Sequence, residues 1–282
     1  MRRLLSLLIA VPLSLLALPA LWTVDPARIG AQLTGGPPLL DPFTAVFGVL
    51  GVLLLAAAAA SVALSSLGAL VAGVIHVLTG LVLFAVPPGQ RYPVVIDASG
   101  TFATGGALDR GMLEYTVSGS WVMVGVLLLA AAGAAKLRRR AAPSPALTAV
   151  LTLAGFLVIA AGVVLGLVAP AGIVRAFATL LFEGFALPVL GILAGALLAG
   201  AGVLSSVWTR MPLWLAGAVI LAVGLVFVFM PWLPFEFGLR GATWVFLPLW
   251  GAVILGAAAG VQFRRQAAPG STAPRQTAAP RA

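Results

Sequence analysis

Cysteine and asparagine are absent from this 282-residue chain, histidine occurs once, and charged residues make up only 8% of it. Without cysteine there can be no disulfide, no thiolate nucleophile and no cysteine-ligated metal. Without asparagine there is no acceptor for Asn-linked glycans. The scarcity of charge is the strongest exclusion, because a soluble domain carries about a quarter charged residues. With 62% hydrophobic residues, folding in water would leave far more apolar surface than the few polar groups could cover. A bilayer is the solvent that suits such a chain. The single lysine stands against fifteen arginines, and with abundant Ala, Gly and Pro this matches the coding bias of a GC-rich genome, which points to a bacterial cell membrane.

The net charge of +9 does not indicate a nucleic-acid partner. The basic residues stand in short clusters at the ends of apolar runs, which is where membrane orientation requires them. A helix needs roughly 20 apolar residues to cross the hydrocarbon. Eight spans are predicted on that basis, at 4–24, 42–62, 67–86, 119–137, 146–168, 186–207, 212–231 and 244–263. The run 42–86 is too long for one span and is divided by a tight hairpin at Ser65-Ser66-Leu67-Gly68. With both termini in the cytoplasm, Arg2, Arg3, Lys136, Arg138, Arg139, Arg140, Arg210, Arg264, Arg265, Arg275 and Arg281 lie inside. Only Arg28, Arg91, Arg110, Arg175 and Arg240 lie outside. That is the asymmetry of the positive-inside rule. The seven acids (Asp25, Asp41, Asp97, Asp109, Glu114, Glu183 and Glu236) all fall outside. Trp22, Trp121, Trp232 and Trp244 mark outer helix ends at headgroup level, Trp208 and Trp214 an inner turn, and Trp250 a packing position. Arg2-Arg3 followed by an apolar run also has the form of a signal peptide, but Leu18-Pro19-Ala20 is a poor cleavage site, so the expectation is a retained anchor.

Shifting the chain by 144 residues aligns its halves without gaps. Leu7, Ala10, Leu13 and Ala17 meet Leu151, Ala154, Leu157 and Ala161; Gly51, Leu54, Ala57 and Ser61 meet Gly195, Leu198, Ala201 and Ser205; Ala72, Gly73, Gly80 and Pro87 meet Ala216, Gly217, Gly224 and Pro231. Single matches mean little in Ala/Leu/Gly-rich text, but one constant offset and matched prolines after alternate spans are the signature of an internal repeat. Both halves start on the same side, so the repeat is parallel. The expected fold class is therefore an all-α integral membrane protein of about eight transmembrane helices, arranged as two parallel four-helix repeats. The first repeat covers 1–137 with an outer loop at 87–118, a cytoplasmic linker follows at 138–145, the second repeat covers 146–263, and 264–282 is a disordered cytoplasmic tail.

Two outer features accompany this plan. After the first span of each half a short helix lies on the membrane surface: Asp25-Pro26 starts one and Gly35 closes it, and Arg175, Thr179 and Glu183 share a face of the other. In the outer loop, Tyr92-Pro93-Val94-Val95-Ile96 and Met112-Leu113-Glu114-Tyr115-Thr116-Val117 are strand-like, with turns at Ala98-Ser99-Gly100 and Gly105-Gly106, which predicts a small β-ribbon.

Chemistry is sparse. No Asp, Glu, Lys or Arg lies at the centre of any span, which argues against a proton relay, an intramembrane aspartyl protease or a voltage sensor. His76, near the middle of the third span, is the one candidate intramembrane polar site. A lone histidine cannot supply a bis-His haem, and its expected state is a neutral imidazole bonded to a hydroxyl or carbonyl of a neighbouring helix. Its repeat counterpart is Ile220. Asp97-Ala98-Ser99-Gly100-Thr101 departs from an aspartic-protease turn by one residue and has no second copy, so it is expected to be a turn. Asp97, Asp109 and Glu114 are expected to be solvated rather than to hold a cation. No catalytic residue, metal or cofactor is assigned. Gly162/Gly166, Gly191/Gly195 and Gly256/Gly260 form GxxxG pairs suited to close helix packing, either within the chain or with a membrane-protein partner or second copy. The expectation is a non-enzymatic scaffold or accessory subunit whose constant partner is the lipid bilayer. The alternative is a transporter for a neutral or lipid-like solute, which the parallel duplication would suit. An enzyme using the outer-loop acids ranks third.

Overall fold

In lipid every backbone polar group must be satisfied inside the protein, so apolar runs of this length fold as helices. The computed structural model describes residues 2–22, 42–85, 115–137, 144–173, 186–230, 233–236 and 245–266, and no strand occurs among them. The helices are α1 (Arg2–Trp22), α2 (Pro42–Ala60), α3 (Ser66–Ala85), α4 (Ser120–Lys136), α5 (Pro145–Val168), α6 (Ala186–Leu204), α7 (Met211–Phe229), the short α8 (Leu233–Glu236) and α9 (Leu247–Gln266). Seven are long and apolar enough to cross a membrane, and α4, at 17 residues, is the shorter apolar helix beside them. Rows of exposed side chains such as Leu8, Leu53, Leu78, Leu157, Leu197 and Phe229 cover the peripheral helices. An apolar surface this continuous belongs against lipid rather than water. The chain is thus a multi-pass helical protein of membrane type.

The helix starts follow from local chemistry. Ser144 caps α5 by accepting from Leu147 N at 3.3 Å, with Pro145 in the first turn, where its missing N–H costs nothing. Gly119, at φ 72°, turns the chain into α4 through a left-handed conformation that glycine alone adopts without strain. Two tight hairpins, α2–α3 and α6–α7, are built alike. Each long helix ends in one turn of 3-10 helix, Ser61–Ala63 and Ser205–Val207. In the first, Ser61 Oγ donates to Ala58 O (2.7 Å), Leu64 N to Ser61 O (2.9 Å) and Leu67 N to Ser65 Oγ (3.2 Å). In the second, Ser205 Oγ donates to Gly202 O (2.6 Å), Trp208 N to Ser205 O (3.0 Å) and Met211 N to Thr209 Oγ1 (3.5 Å).

Packing places α4 and α9 at the centre. α1 lies on α2 and α3, α3 on α4; likewise α5 lies on α6 and α7, and α7 on α9. The two groups are joined crosswise: α9 packs against α2, α4 against α6, and α4 and α9 touch each other. Small residues make these approaches possible. A Cβ on Gly73 would come within 2.8 Å of Gly125 O, and one on Gly195 within 2.7 Å of Gly162 O. Gly256 and Gly260 of α9 lie against the backbone carbonyls of Ala56 and Ala60, whereas in the other crosswise contact the glycine is Gly200 of α6, against Val126 and Ala130 of α4. Gly162, Gly166, Gly191 and Gly195 likewise meet residues of this chain. The GxxxG faces are therefore spent on internal contacts and are not free for a second copy.

Several sequence expectations change here. The last helix runs to Gln266, so Arg264 belongs to its final turn and not to a tail. Tyr115–Val117, expected as strand, is a helical turn, because it abuts α4 and its side chains are buried against the bundle. Trp22 and Trp121, expected to face headgroups, are buried within the bundle, with ring centroids 6.4 Å apart. Depth along a helix is set by sequence position, whereas facing is set by what packs on it. The exposed Trp208 and the partly exposed Trp214 agree with an interfacial turn, and Trp250 is fully buried. The surface helices near 25–35 and 175–183, the remainder of the proposed β-ribbon, the linker before Ser144 and the outer-loop acids lie outside the described residues.

Candidate functional site

Most buried hydroxyls in the described residues bond to nearby backbone, as helix-interior Ser and Thr commonly do. Ser14 Oγ donates to Val11 O (2.9 Å) and Ser61 Oγ to Ala58 O (2.7 Å), whereas Ser6 Oγ crosses to Ser65 O (2.8 Å). One group of polar and aromatic side chains is different. It gathers around Trp121 at the start of α4, in the half of the bundle away from the two hairpins. His76 reaches it from the middle of α3, Trp22 from the end of α1, and Phe246 from just before α9. Tyr115 comes from the turn that precedes α4.

The helices explain why these residues meet. α3 and α4 are held close and antiparallel by Gly73, Gly80 and Gly125; a Cβ at Gly80 would press on Val122 and Trp121. His76 therefore projects onto the Trp121 ring, with centroids 5.5 Å apart and planes at 51°. Tyr115 stands edge-on to Trp121 (5.4 Å, 83°) and to Phe246 (5.5 Å, 87°), a favourable geometry for aromatic quadrupoles. Trp121 Nε1 donates to Thr116 Oγ1 (3.2 Å), and Ser118 Oγ links to Ser120 Oγ (2.8 Å) and to Tyr115 O (2.9 Å).

His76 Nδ1 lies 3.0 Å from Ala72 O. A carbonyl can only accept, so Nδ1 carries the proton and the neutral ring presents Nε2 as a bare acceptor. The predicted partner on a neighbouring helix is replaced by a carbonyl one turn back on the same helix, since the closest neighbour, Trp121, offers a ring face. His76 Nε2, Tyr115 Oη and Trp250 Nε1 are buried without a hydrogen-bond partner. Burial drives the Tyr115 phenol pKa above its ordinary value, so the group stays a protonated donor.

Among the described residues the cluster thus holds one unpartnered acceptor, His76 Nε2, one unpartnered hydroxyl, Tyr115 Oη, and several aromatic rings. Among the described residues no group of three His, Asp or Glu could hold a metal ion. Sequence reading found His76 and missed Tyr115 and the inward role of Trp121. The available signal was Gly119, which turns the chain so that Tyr115 folds back over the helix it precedes. The chain matches no family model, no curated protein and no solved structure.

Proposed function

We propose that this protein is a non-enzymatic scaffold or accessory subunit of a bacterial cell membrane, built from two parallel copies of a four-helix unit with both termini in the cytoplasm. The observation that carries the functional part is the centre of the molecule. Leu127, Ala131, Val253, Ala257 and Val261 are all buried on α4 and α9 and belong to one hydrophobic core. A solute path between halves needs polar or openable surface there, and a catalyst needs ionisable groups. Away from the helix ends, His76 is the only ionisable side chain in the described spans, and it bonds to its own helix.

Support for the duplication comes from three sources. The hairpins agree bond for bond at a spacing of 144 residues. Each helix neighbour in the first half has its counterpart in the second: α1–α2 with α5–α6, α3–α4 with α7–α9, and α2–α9 with α6–α4. Gly73 lies on Gly125 as Gly217 lies against Leu255 beside Gly251, which itself meets Leu221. In the final helix the spacing falls to 126, as the shorter segment 232–243 requires.

Cysteines at Ala131 and Ala257 test the functional reading, and the chain has no other cysteine. These residues hold matching positions on α4 and α9. Both should resist a water-soluble maleimide in sealed vesicles and in open membranes alike. Labelling of either in the folded protein would replace the scaffold with the transporter for a neutral or lipid-like solute, because only a pathway brings water there.

A further inference from the structure

One end of the bundle gathers the start of α1, both hairpins, and the last turns of α4 and α9. The described cations Arg2, Arg3, Lys136, Arg210 and Arg264 all lie at this end. No acid lies at this end among the described residues. The segments that build this end belong to stretches 1–24, 42–96, 115–182, 184–235 and 237–282, none of which contains Asp or Glu. These segments leave the cations open to a counter-charge from outside the chain.

The cations also converge on a particular element, the α2–α3 hairpin. Arg264 NH1 makes a long hydrogen bond to Val62 O (3.5 Å). That partner is a neutral carbonyl, so the guanidinium keeps its full charge and most of its donors free. Ser6 bridges the same hairpin from the other side, donating to Ser65 O and accepting from Gly68 N (3.3 Å). Arg2 and Arg3 are the residues one turn before Ser6 and are exposed. Arg264 thus bonds to the hairpin itself, and Arg2 and Arg3 stand on the helical turn before the serine that bridges it. Next to them the exposed Leu4, Leu5 and Leu8 of α1 and Leu67 and Leu70 of α3 provide surface for acyl chains.

We propose that this end is a binding surface for anionic phospholipid headgroups, centred on the α2–α3 hairpin with Arg2, Arg3 and Arg264 as its phosphate donors. Arginine suits the role because its planar fork binds phosphate oxygens in pairs. The positive-inside rule explains why cations collect at one end. It does not by itself bring Arg264 and the start of α1 to the same hairpin. The proposal holds whichever leaflet this end occupies, and whether the protein is a scaffold or a transporter.

The test uses the full chain, purified in neutral detergent micelles doped with equal phosphatidylglycerol and phosphatidylcholine of identical acyl chains. Native mass spectrometry then counts the retained lipids. Wild type should retain phosphatidylglycerol preferentially, and raising the salt concentration should erode that preference by screening. Substituting Arg2→Gln, Arg3→Gln and Arg264→Gln should lower the preference by about five-fold for each guanidinium removed. Lysine at the same positions should retain part of it. Equal retention of the two lipids by wild type, a preference indifferent to salt, or one unchanged in the folded triple glutamine variant would each overturn the proposal. If the triple variant does not fold, Arg264→Gln alone and the salt series on wild type decide between the two outcomes. None of these results bears on the scaffold reading, which is decided at Ala131 and Ala257.

Discussion

At the scale of single residues, the unpartnered atoms and the glycine contacts make the sharpest demands. A buried polar group without a partner costs about 1–3 kcal/mol. Tyr115→Phe removes such a group, the unpartnered hydroxyl, while keeping both edge-on ring contacts. It should leave thermal stability unchanged or raise it. His76→Leu removes the bare Nε2 and a bond to a carbonyl of its own helix. No bond between helices is lost, and even those average only about 0.6 kcal/mol in bilayers, so this change should also be close to neutral in a melting experiment. A large loss of stability in either variant would mean that the atom has a partner. A loss of cellular function without loss of folding would make the cluster a binding site. The glycines give the opposite case. A side chain at Gly256 meets the Ala56 backbone carbonyl, which cannot yield, whereas one at Gly133 meets only the Cδ2 of Leu204 at 3.1 Å. Gly256→Leu should destabilise by about 1–3 kcal/mol, and Gly133→Ala should be mild. Comparable melting temperatures for the two would contradict the crosswise packing of α9 on α2.

At the scale of elements, the hairpins carry the clearest expectation. Ser61→Ala and Ser205→Ala each delete a hydroxyl bond to a carbonyl three residues back. If the hairpins share an origin and a geometry, the two substitutions should cost similar small amounts, about 0.5–1.5 kcal/mol, by denaturation in mild detergent. A several-fold difference between them would count against equivalence. The elements themselves were largely legible. A span of about 20 apolar residues has one good solution in lipid, and each of the eight predicted spans coincides with a helix to within a few residues. The exceptions share a cause. Tyr115 to Val117 has the alternation of a strand, but it precedes a helix whose faces are all covered, and burial against that helix outweighs β propensity. The short length of α4 is tolerated for a related reason: it is encased by other helices and need not match the hydrocarbon by itself.

At the scale of the whole molecule, the proposed orientation and duplication can be checked directly. Single cysteines at Ser144 and Ser271 should react only with reagents that reach the cytoplasm, and one at Ser99 only from outside; the reverse pattern would invert the topology. In an experimental structure, α1–α3 should superpose on α5–α7 by rotation about an axis roughly along the membrane normal, and an inverted relation would exclude a parallel repeat. The sequence by itself determined the solvent and the positions of the apolar helices, because hydropathy and composition act locally and do not depend on which helix meets which. Tertiary structure alone decided that α4 and α9 fill the centre, that each packs on the other half's second helix, and that Trp22, Trp121 and Tyr115 turn inward around His76. Those outcomes depend on interhelical contact, where small residues such as Gly73, Gly125 and Gly256 let backbones approach. A glycine in an apolar run does not reveal which neighbour it is making room for.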